Sequence, residues 1–203
     1  KLYGEAYQDQ ELQEDLVSEL QYAYSYSLKP DLTFTALVQD IDDGSFELDK
    51  LGQGLRDIEQ ADPLFQNLFE DIDLHSKRLG STLQKQSKTI QELMKELSRL
   101  DLAKYNGDAL GDAYEYLIGQ FASESGKKAG EFYTPQSVSH LMTQIAIYGK
   151  EDKKGFTAYD ATMGSGSLLL NVRKYSNEPE HIYFYGQERN TSTYNLARMN
   201  MIL

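Results

Sequence analysis

Tyr159–Leu170 reads Y-D-A-T-M-G-S-G-S-L-L-L, and the fold of this chain turns on it. The approach to it, Phe156–Tyr159, has the apolar character of a short buried strand. Asp160 ends that strand. A turn with Gly164 and Gly166 follows, and Leu168, Leu169 and Leu170 then open an apolar helix. Strand, small-residue turn and helix together predict a binding edge for a nucleotide-like ligand. Glycines let backbone approach a ligand with no Cβ in the way. The start of a helix leaves N–H groups unpaired and pointing outward.

The turn is not the dinucleotide fingerprint G-x-G-x-x-G, because Leu169 holds the third glycine position. It is not a phosphate-binding P-loop, since no G-K-[ST] follows. Taken alone, D-x-x-x-G-x-G also fits a plain tight βα turn. A second acid strengthens the binding reading. His181–Tyr185 reads as another strand, and Gly186-Gln187-Glu188 follows it. An acid there, about 20 residues after the glycine turn, stands where a ribose diol would be held.

Composition bounds the rest. The 203 residues suffice for one large domain or two small ones. No apolar run reaches the roughly 18 residues of a membrane span. The chain opens on Lys1 without a basic-plus-apolar leader, which predicts no secretion signal. There are no cysteines, which excludes disulfides and thiolate metal sites and suits a cytoplasmic protein. His75, His140 and His181 lie far apart without ligand spacing, so no zinc site is expected. The net charge of −12 argues against a free-standing DNA-binding module, because phosphate contacts need basic surface.

Residues ahead of the glycine turn read as helices. Leu12, Leu16, Leu20 and Tyr24 predict a long helix over Glu5–Leu28, with Tyr22, Tyr24 and Tyr26 packing its face or edge. Pro30-Asp31 breaks it. Leu32–Ile41 predicts a second helix, stopped by Asp42-Asp43-Gly44, and Ser45 is a candidate cap for the next, through Leu48, Leu51, Leu55 and Ile58. Pro63–Leu74 predicts a helix whose acids Glu70, Asp71 and Asp73 face solvent. Thr82–Leu100 and Asp108–Ala122 predict two more, joined by a connector over Asp101–Asn106. The loop Ser123–Gly130 changes the texture. Thr134 is then a candidate N-cap and Pro135 a first helical residue, with Val138, Leu141, Met142 and Ile145 as the apolar face and His140 turned to solvent or a partner. Asn190–Leu203 closes as a helix. The order is a helical part and then helix–strand–helix–strand–helix, the start of an α/β sheet.

Three segments together resemble one family. They are G-E-F-Y-T-P at Gly130–Pro135, D-A-T-M-G-S-G-S-L at Asp160–Leu168, and G-Q-E-R-N at Gly186–Asn190 with L-A-R-M-N-M at Leu196–Met201. They look like the modification (M) subunit of type I restriction–modification systems, an adenine-N6 DNA methyltransferase. D-A-Y-E-Y-L at Asp112–Leu117 is similar to that family's lead-in helix. The resemblance is specific from about Lys104 and general before it. It implies a helical N-terminal domain over residues 1–103. Residues 104–203 would be the cofactor-binding half of a Rossmann-like methyltransferase domain.

The resemblance also implies S-adenosyl-L-methionine as cofactor. Glu131, Phe132, Tyr133, Thr134, Pro135 and Gln136 would line its methionine end. Gly164, Ser165, Gly166 and Ser167 would form the turn beneath it. Asp160 would lie near its methionine part, and Glu188 would hold the ribose hydroxyls, where a carboxylate accepts with charge-assisted strength. The partners implied are DNA, a specificity (S) subunit and a restriction (R) subunit, with two M subunits per complex. The setting implied is the cytoplasm of a bacterium or archaeon.

Two departures stand out. Family members often have D-P where this chain has Asp160-Ala161. The family's N-P-P-[FY] motif, whose Asn would accept from the target amine and whose ring would stack on a flipped base, has no match: none of Pro30, Pro63, Pro135 and Pro179 precedes a second proline. The expectation is half a cofactor pocket with no catalytic residue among these 203. Two other readings stay open at this stage. One is a non-catalytic assembly module. The other is a nucleotide-dependent oxidoreductase, which the missing third glycine disfavours.

Overall fold

The computed structural model describes residues 2–100, 107–124 and 134–202. The chain divides into two compact units, Lys1–Asp101 and Leu102–Leu203. Among the described residues the first unit is helical. Asp9 interrupts the single long helix expected over Glu5–Leu28. The structure has α1 at Leu2–Gln8 and α2 at Gln10–Tyr24, and the Asp9 carboxylate accepts from the Leu12 N–H at 3.4 Å. A short acidic side chain that serves as an N-cap restarts a helix rather than continuing one. Ser25, with φ 64°, stops α2. Tyr26, which follows α2 rather than lying on it, packs edge-on against Phe65, whereas Tyr22 and Tyr24 on the helix are exposed instead of packed.

Helices α3 (Phe34–Asp43), α4 (Leu48–Ala61) and α5 (Leu83–Ser98) build the core of this unit. Leu37, Ile41, Leu48, Ile90 and Met94 are buried together, with Val38, Phe46, Leu51, Leu74 and Leu79 around them. Thr33 and Thr82 cap α3 and α5 by accepting from the Ala36 and Lys85 N–H groups. Gly44 ends α3 in the left-handed region, φ 74°, where a side chain would be strained. Ser45 does not cap α4. Its N–H and its hydroxyl both turn back to the Asp40 carbonyl, which also accepts from the Gly44 N–H at the end of α3.

The expected helix over Pro63–Leu74 is instead a 3-10 turn, Pro63–Phe65, followed by linked turns. Side chains accept from N–H groups along this stretch, that of Phe69 being one a helix would pair. Asp62 accepts from Leu64, Glu59 from Phe69 and Asp73 from His75. Asn67 is left-handed as well. Gln86 of α5 then ties this irregular stretch down. It is buried, and its amide nitrogen faces the carbonyls of His75, Ser76 and Gly80 at 2.8, 3.3 and 3.0 Å.

The second unit runs α6 (Gly107–Glu124), α7 (Gln136–Ile147), β1 (Phe156–Asp160), α8 (Ser167–Tyr175), β2 (Ile182–Gly186) and α9 (Thr191–Ile202). That is the order the sequence predicts. β1 and β2 pair in parallel, from Phe156 opposite Ile182 to Asp160 opposite Gly186. The connector Asp101–Asn106 and residues 125–130 of the loop lie outside the described residues, while Ser123 and Glu124 close α6. α7 begins one residue later than expected. Pro135 is extended (ψ 136°) and its carbonyl already accepts from Val138 and Ser139, so Pro135 rather than Thr134 is the cap residue.

The face of α7 is the larger correction. Val138, Leu141, Met142 and Ile145 are exposed, and Ser139, Thr143 and Ile147 are buried. His140 is half-buried, edge-on to the Tyr175 ring at 5.7 Å, rather than turned to solvent. Nor is β1 a fully buried strand: its residues alternate half-buried and exposed. No helix among the described residues is long and apolar enough to cross a membrane.

Replacing Gln86 by alanine should take the amide partner from the His75 and Gly80 carbonyls, while the Ser76 carbonyl keeps its bond from the Leu79 N–H. We expect a loss of roughly 1–3 kcal/mol from the first unit, read as a lower denaturation midpoint at unchanged slope.

Candidate functional site

The two strand ends are laced together by backbone. The Gln187 N–H donates to the Asp160 carbonyl, and the Met163 N–H donates to the Gln187 carbonyl, each at 2.9 Å. The Tyr159 hydroxyl adds a bond to the Gln187 side chain at 3.0 Å. Asp160 and Glu188 therefore stand at the carboxyl ends of neighbouring parallel strands. Ligands bind at that edge in open α/β sheets.

Each acid also holds its own turn. Asp160 Oδ1 accepts from the Thr162 N–H at 2.9 Å, and Glu188 Oε1 accepts from the Asn190 N–H at 2.7 Å. Both residues are half-buried. An ionised carboxylate has about four lone-pair sites, so one such bond leaves capacity for a ligand's hydroxyl or amine. A hollow of about 370 Å³ runs along β1 beneath Met142, Thr143 and Leu169 and reaches Tyr159 and Asp160.

The glycine turn is buried from Gly164 to Ser167. Its serines face inward: the Ser165 and Ser167 hydroxyls lie 3.1 Å apart, both shielded from solvent. Asn200 of α9, itself buried, donates to the Ser165 carbonyl at 3.0 Å and holds the turn from behind. What this turn can offer a ligand is therefore backbone N–H at the start of α8, not hydroxyl groups. Gly166 sits at φ 82° in the left-handed region, the cap position of α8.

Of the six residues expected at the methionine end of a cofactor, Glu131, Phe132 and Tyr133 lie outside the described residues. Thr134 and Pro135 lead into α7. Gln136 turns between helices. Its amide nitrogen donates to Glu115 Oε2 of α6 at 2.8 Å, and its amide oxygen accepts from Asn171 of α8 at 3.4 Å. Asn171 also donates to Ser139 at 2.6 Å. Sequence reading does not single out Glu115 and Asn171. A signal existed for the first: Glu115 falls three residues before Ile118, on the buried strip of α6, where a carboxylate needs a partner. Beside it, burial pushes the pKa of the Tyr114 hydroxyl up to about 12.

Comparison with known proteins bears on this geometry. The family model described as N-6 DNA methylase matches residues 105–203, nearly the whole of the second unit. The chain is similar to the methylase subunit of the type I restriction enzyme MpnII of Mycoplasma pneumoniae, with 41% identity over 171 residues, 82% of this chain and 30% of that protein. It is similar to the MjaVIII methylase subunit of Methanocaldococcus jannaschii, 38% identical over 114 residues, 56% of this chain and 19% of that one. The crystal structure of a type I restriction–modification methyltransferase subunit from Streptococcus thermophilus superposes with a TM-score of 0.94 at 65% identity. It covers 98% of this chain, which covers 42% of that one. The chain thus spans under half the length of these relatives.

Gly166, like Gly164, holds a left-handed backbone in this turn. Gly166→Ala would force a side chain into that conformation and bring its Cβ to 2.6 Å from the end of Met201. Met201 can swing aside, so the backbone term dominates. We expect a loss of about 1–2 kcal/mol in thermal or chemical denaturation.

Proposed function

We propose that this chain, whose residues 105–203 belong to the N-6 DNA methylase family, is part of the modification subunit of a type I restriction–modification complex. The proposed reaction is transfer of a methyl group from S-adenosyl-L-methionine to the N6 amine of adenine in a DNA recognition site. The observation that carries this reading is the pair of acids at neighbouring strand ends beside a buried glycine turn. It stands within a stretch that matches an N6-methylase family and lies in a chain 65% identical to a solved methyltransferase subunit.

The donor set fits the cofactor. S-adenosyl-L-methionine supplies an electrophilic methyl group when bound. Glu188 would accept from both ribose hydroxyls, and its turn bond to Asn190 would fix the carboxylate for that purpose. Asp160 would lie near the methionine part. Glu131–Gln136 would close that end of the pocket, with Gln136 acting through its helix contacts. The turn Gly164–Ser167 would meet the ligand with backbone.

Residues 1–103 would form the helical N-terminal domain of the subunit, and residues 104–203 the cofactor-binding half of a Rossmann-like sheet. The Asn and aromatic ring that engage the target adenine would come from the remainder of a longer protein, since no N-P-P-[FY] occurs here. Residues 1–101 carry 21 of the 32 acidic side chains and 10 of the 20 basic ones. A surface so acidic is poorly suited to phosphate, so DNA would be gripped by other parts of a complex. The proposed partners are DNA, a specificity subunit, a restriction subunit and a second modification subunit, in a bacterial or archaeal cytoplasm.

Calorimetry of S-adenosyl-L-methionine binding tests this reading on the full-length subunit that carries this chain, with its specificity subunit present. Glu188→Ala should cost on the order of 1.5–3 kcal/mol, roughly tenfold or more in affinity. No binding by the unaltered protein would favour an assembly module instead. The isolated 203-residue chain should not methylate DNA carrying the recognition site, and methyl incorporation by it would overturn the division proposed here.

A further inference from the structure

We infer that Asn200 is a positioning residue for the proposed cofactor: by holding the Ser165 carbonyl it sets the glycine turn against the two strand-end acids. This inference rests on the reading just proposed. Asn200 lies on α9 at 2% exposure, and its amide nitrogen donates to the Ser165 carbonyl at 3.0 Å. Its amide oxygen is sealed from solvent with no hydrogen-bond partner among the described residues. An amide so placed carries a desolvation cost that an apolar side chain of similar size would avoid. Such a side chain would in turn lack a donor for the carbonyl of a buried residue. The helix around Asn200 packs closely on the turn. A Cβ on Gly166 would stand 2.6 Å from the end of Met201 and 3.7 Å from the Ala197 Cβ.

The peptide that Asn200 holds lies in permissive backbone. Gly164 and Gly166, on either side of Ser165, are left-handed at φ 56° and 82°. Glycine has many other conformations open to it at little steric cost. A trans peptide points its C=O and its N–H in opposite directions. Asn200 fixes one end of the Ser165–Gly166 peptide, and at the other end the Gly166 N–H donates to the Met163 carbonyl at 2.8 Å. The Met163 N–H donates to the Gln187 carbonyl, and the Gln187 N–H to the Asp160 carbonyl, each at 2.9 Å. A row of bonds therefore runs from Asn200 through the turn to the ends of both strands. The start of α9 is tied to the same edge. Asn190 precedes it, with a side chain that accepts from the Thr193 N–H at 3.0 Å and an N–H that donates to Glu188. One helix is thus anchored at the acid proposed for the ribose and at the turn proposed for the methionine part. A turn fixed before the ligand arrives leaves less to be ordered on binding.

The experiment compares Asn200→Leu and Asn200→Ala with Ile118→Val in the full-length subunit with its specificity subunit. Ile118, on α6 and 1% exposed, is a core position whose trimming lowers stability alone. Each protein is measured for S-adenosyl-L-methionine affinity by calorimetry, well below its melting transition, and for melting temperature without ligand. All three variants should melt below the unaltered protein. Both Asn200 variants should bind roughly tenfold more weakly. Ile118→Val should stay within about twofold, because a loss of stability leaves the folded site intact below the transition. Leucine fills the space of the amide and alanine leaves it open, so each keeps the test readable if the other fails to fold. Asn200 variants that bind within about twofold of the unaltered protein, or an Ile118→Val variant that loses affinity as they do, would overturn the positioning role. Glu188→Ala keeps the two readings apart: weakened binding there with unchanged binding in the Asn200 variants removes this inference and leaves the cofactor reading standing. Absence of binding by the unaltered protein would remove both.

Discussion

The parallel pairing of β1 with β2, and the backbone bonds that extend it past both strand ends, hold everything else at the site in place. Five residue pairs set the register, and Asp160 falls opposite Gly186. Gln187 then continues the ladder by one step, donating to the Asp160 carbonyl and accepting from Met163. These bonds are independent of side-chain identity. They bring Asp160, the glycine turn and Glu188 to one edge, although Glu188 follows the turn by some 20 residues. A one-residue slip would move Glu188 along the edge and turn alternate side chains to the other face of the sheet.

Packing around that edge is unusual in where it spends its polar and apolar side chains. The helices behind the sheet meet through Ser139, Thr143, Asn171, Asn195 and Asn200, all buried. Leu141, Ile145, Tyr159, Tyr183 and Tyr185 are exposed on the described surface. Small polar residues let helix backbones approach closely, and each amide must then find a partner inside. Asn200 finds the Ser165 carbonyl, and Asn171 finds Gln136 and Ser139. These directional bonds stand beside the buried Ile118, Ile147, Leu169 and Ala197. Such bonds fix orientation more sharply than non-directional burial does. The first unit buries fewer polar side chains among its described residues. It packs Leu37, Ile41, Leu48, Ile90 and Met94 in an ordinary apolar core and uses one buried amide, Gln86, to hold an irregular stretch.

Local signals in the sequence determined a good deal. The strand–turn–helix reading of Tyr159–Leu170, the second strand ending before Glu188 and the run of helices ahead of them each depend on patterns within about ten residues. The element order of the second unit follows from these patterns. So does the stop at Gly44, because left-handed turns are short-range. The family resemblance is legible for the same reason, since its motifs are contiguous.

Tertiary structure decided what those patterns could not. Helical spacing in α7 identifies an apolar stripe but not which stripe meets a neighbour, and the polar stripe won because Ser139 and Asn171 bond across the helix contact. Pro63–Leu74 has helical periodicity, yet Glu59, ten residues before Phe69, takes the N–H that a helix would need. The inward turn of Ser165 and Ser167 required α9 behind them. Glu115, Gln136 and Asn171 come from three separate helices, and their meeting leaves no mark on any one segment. Sequence fixes what each stretch can form locally. The partners of buried polar groups are chosen by the whole fold, because desolvation makes an unpaired group costly wherever its neighbours come from.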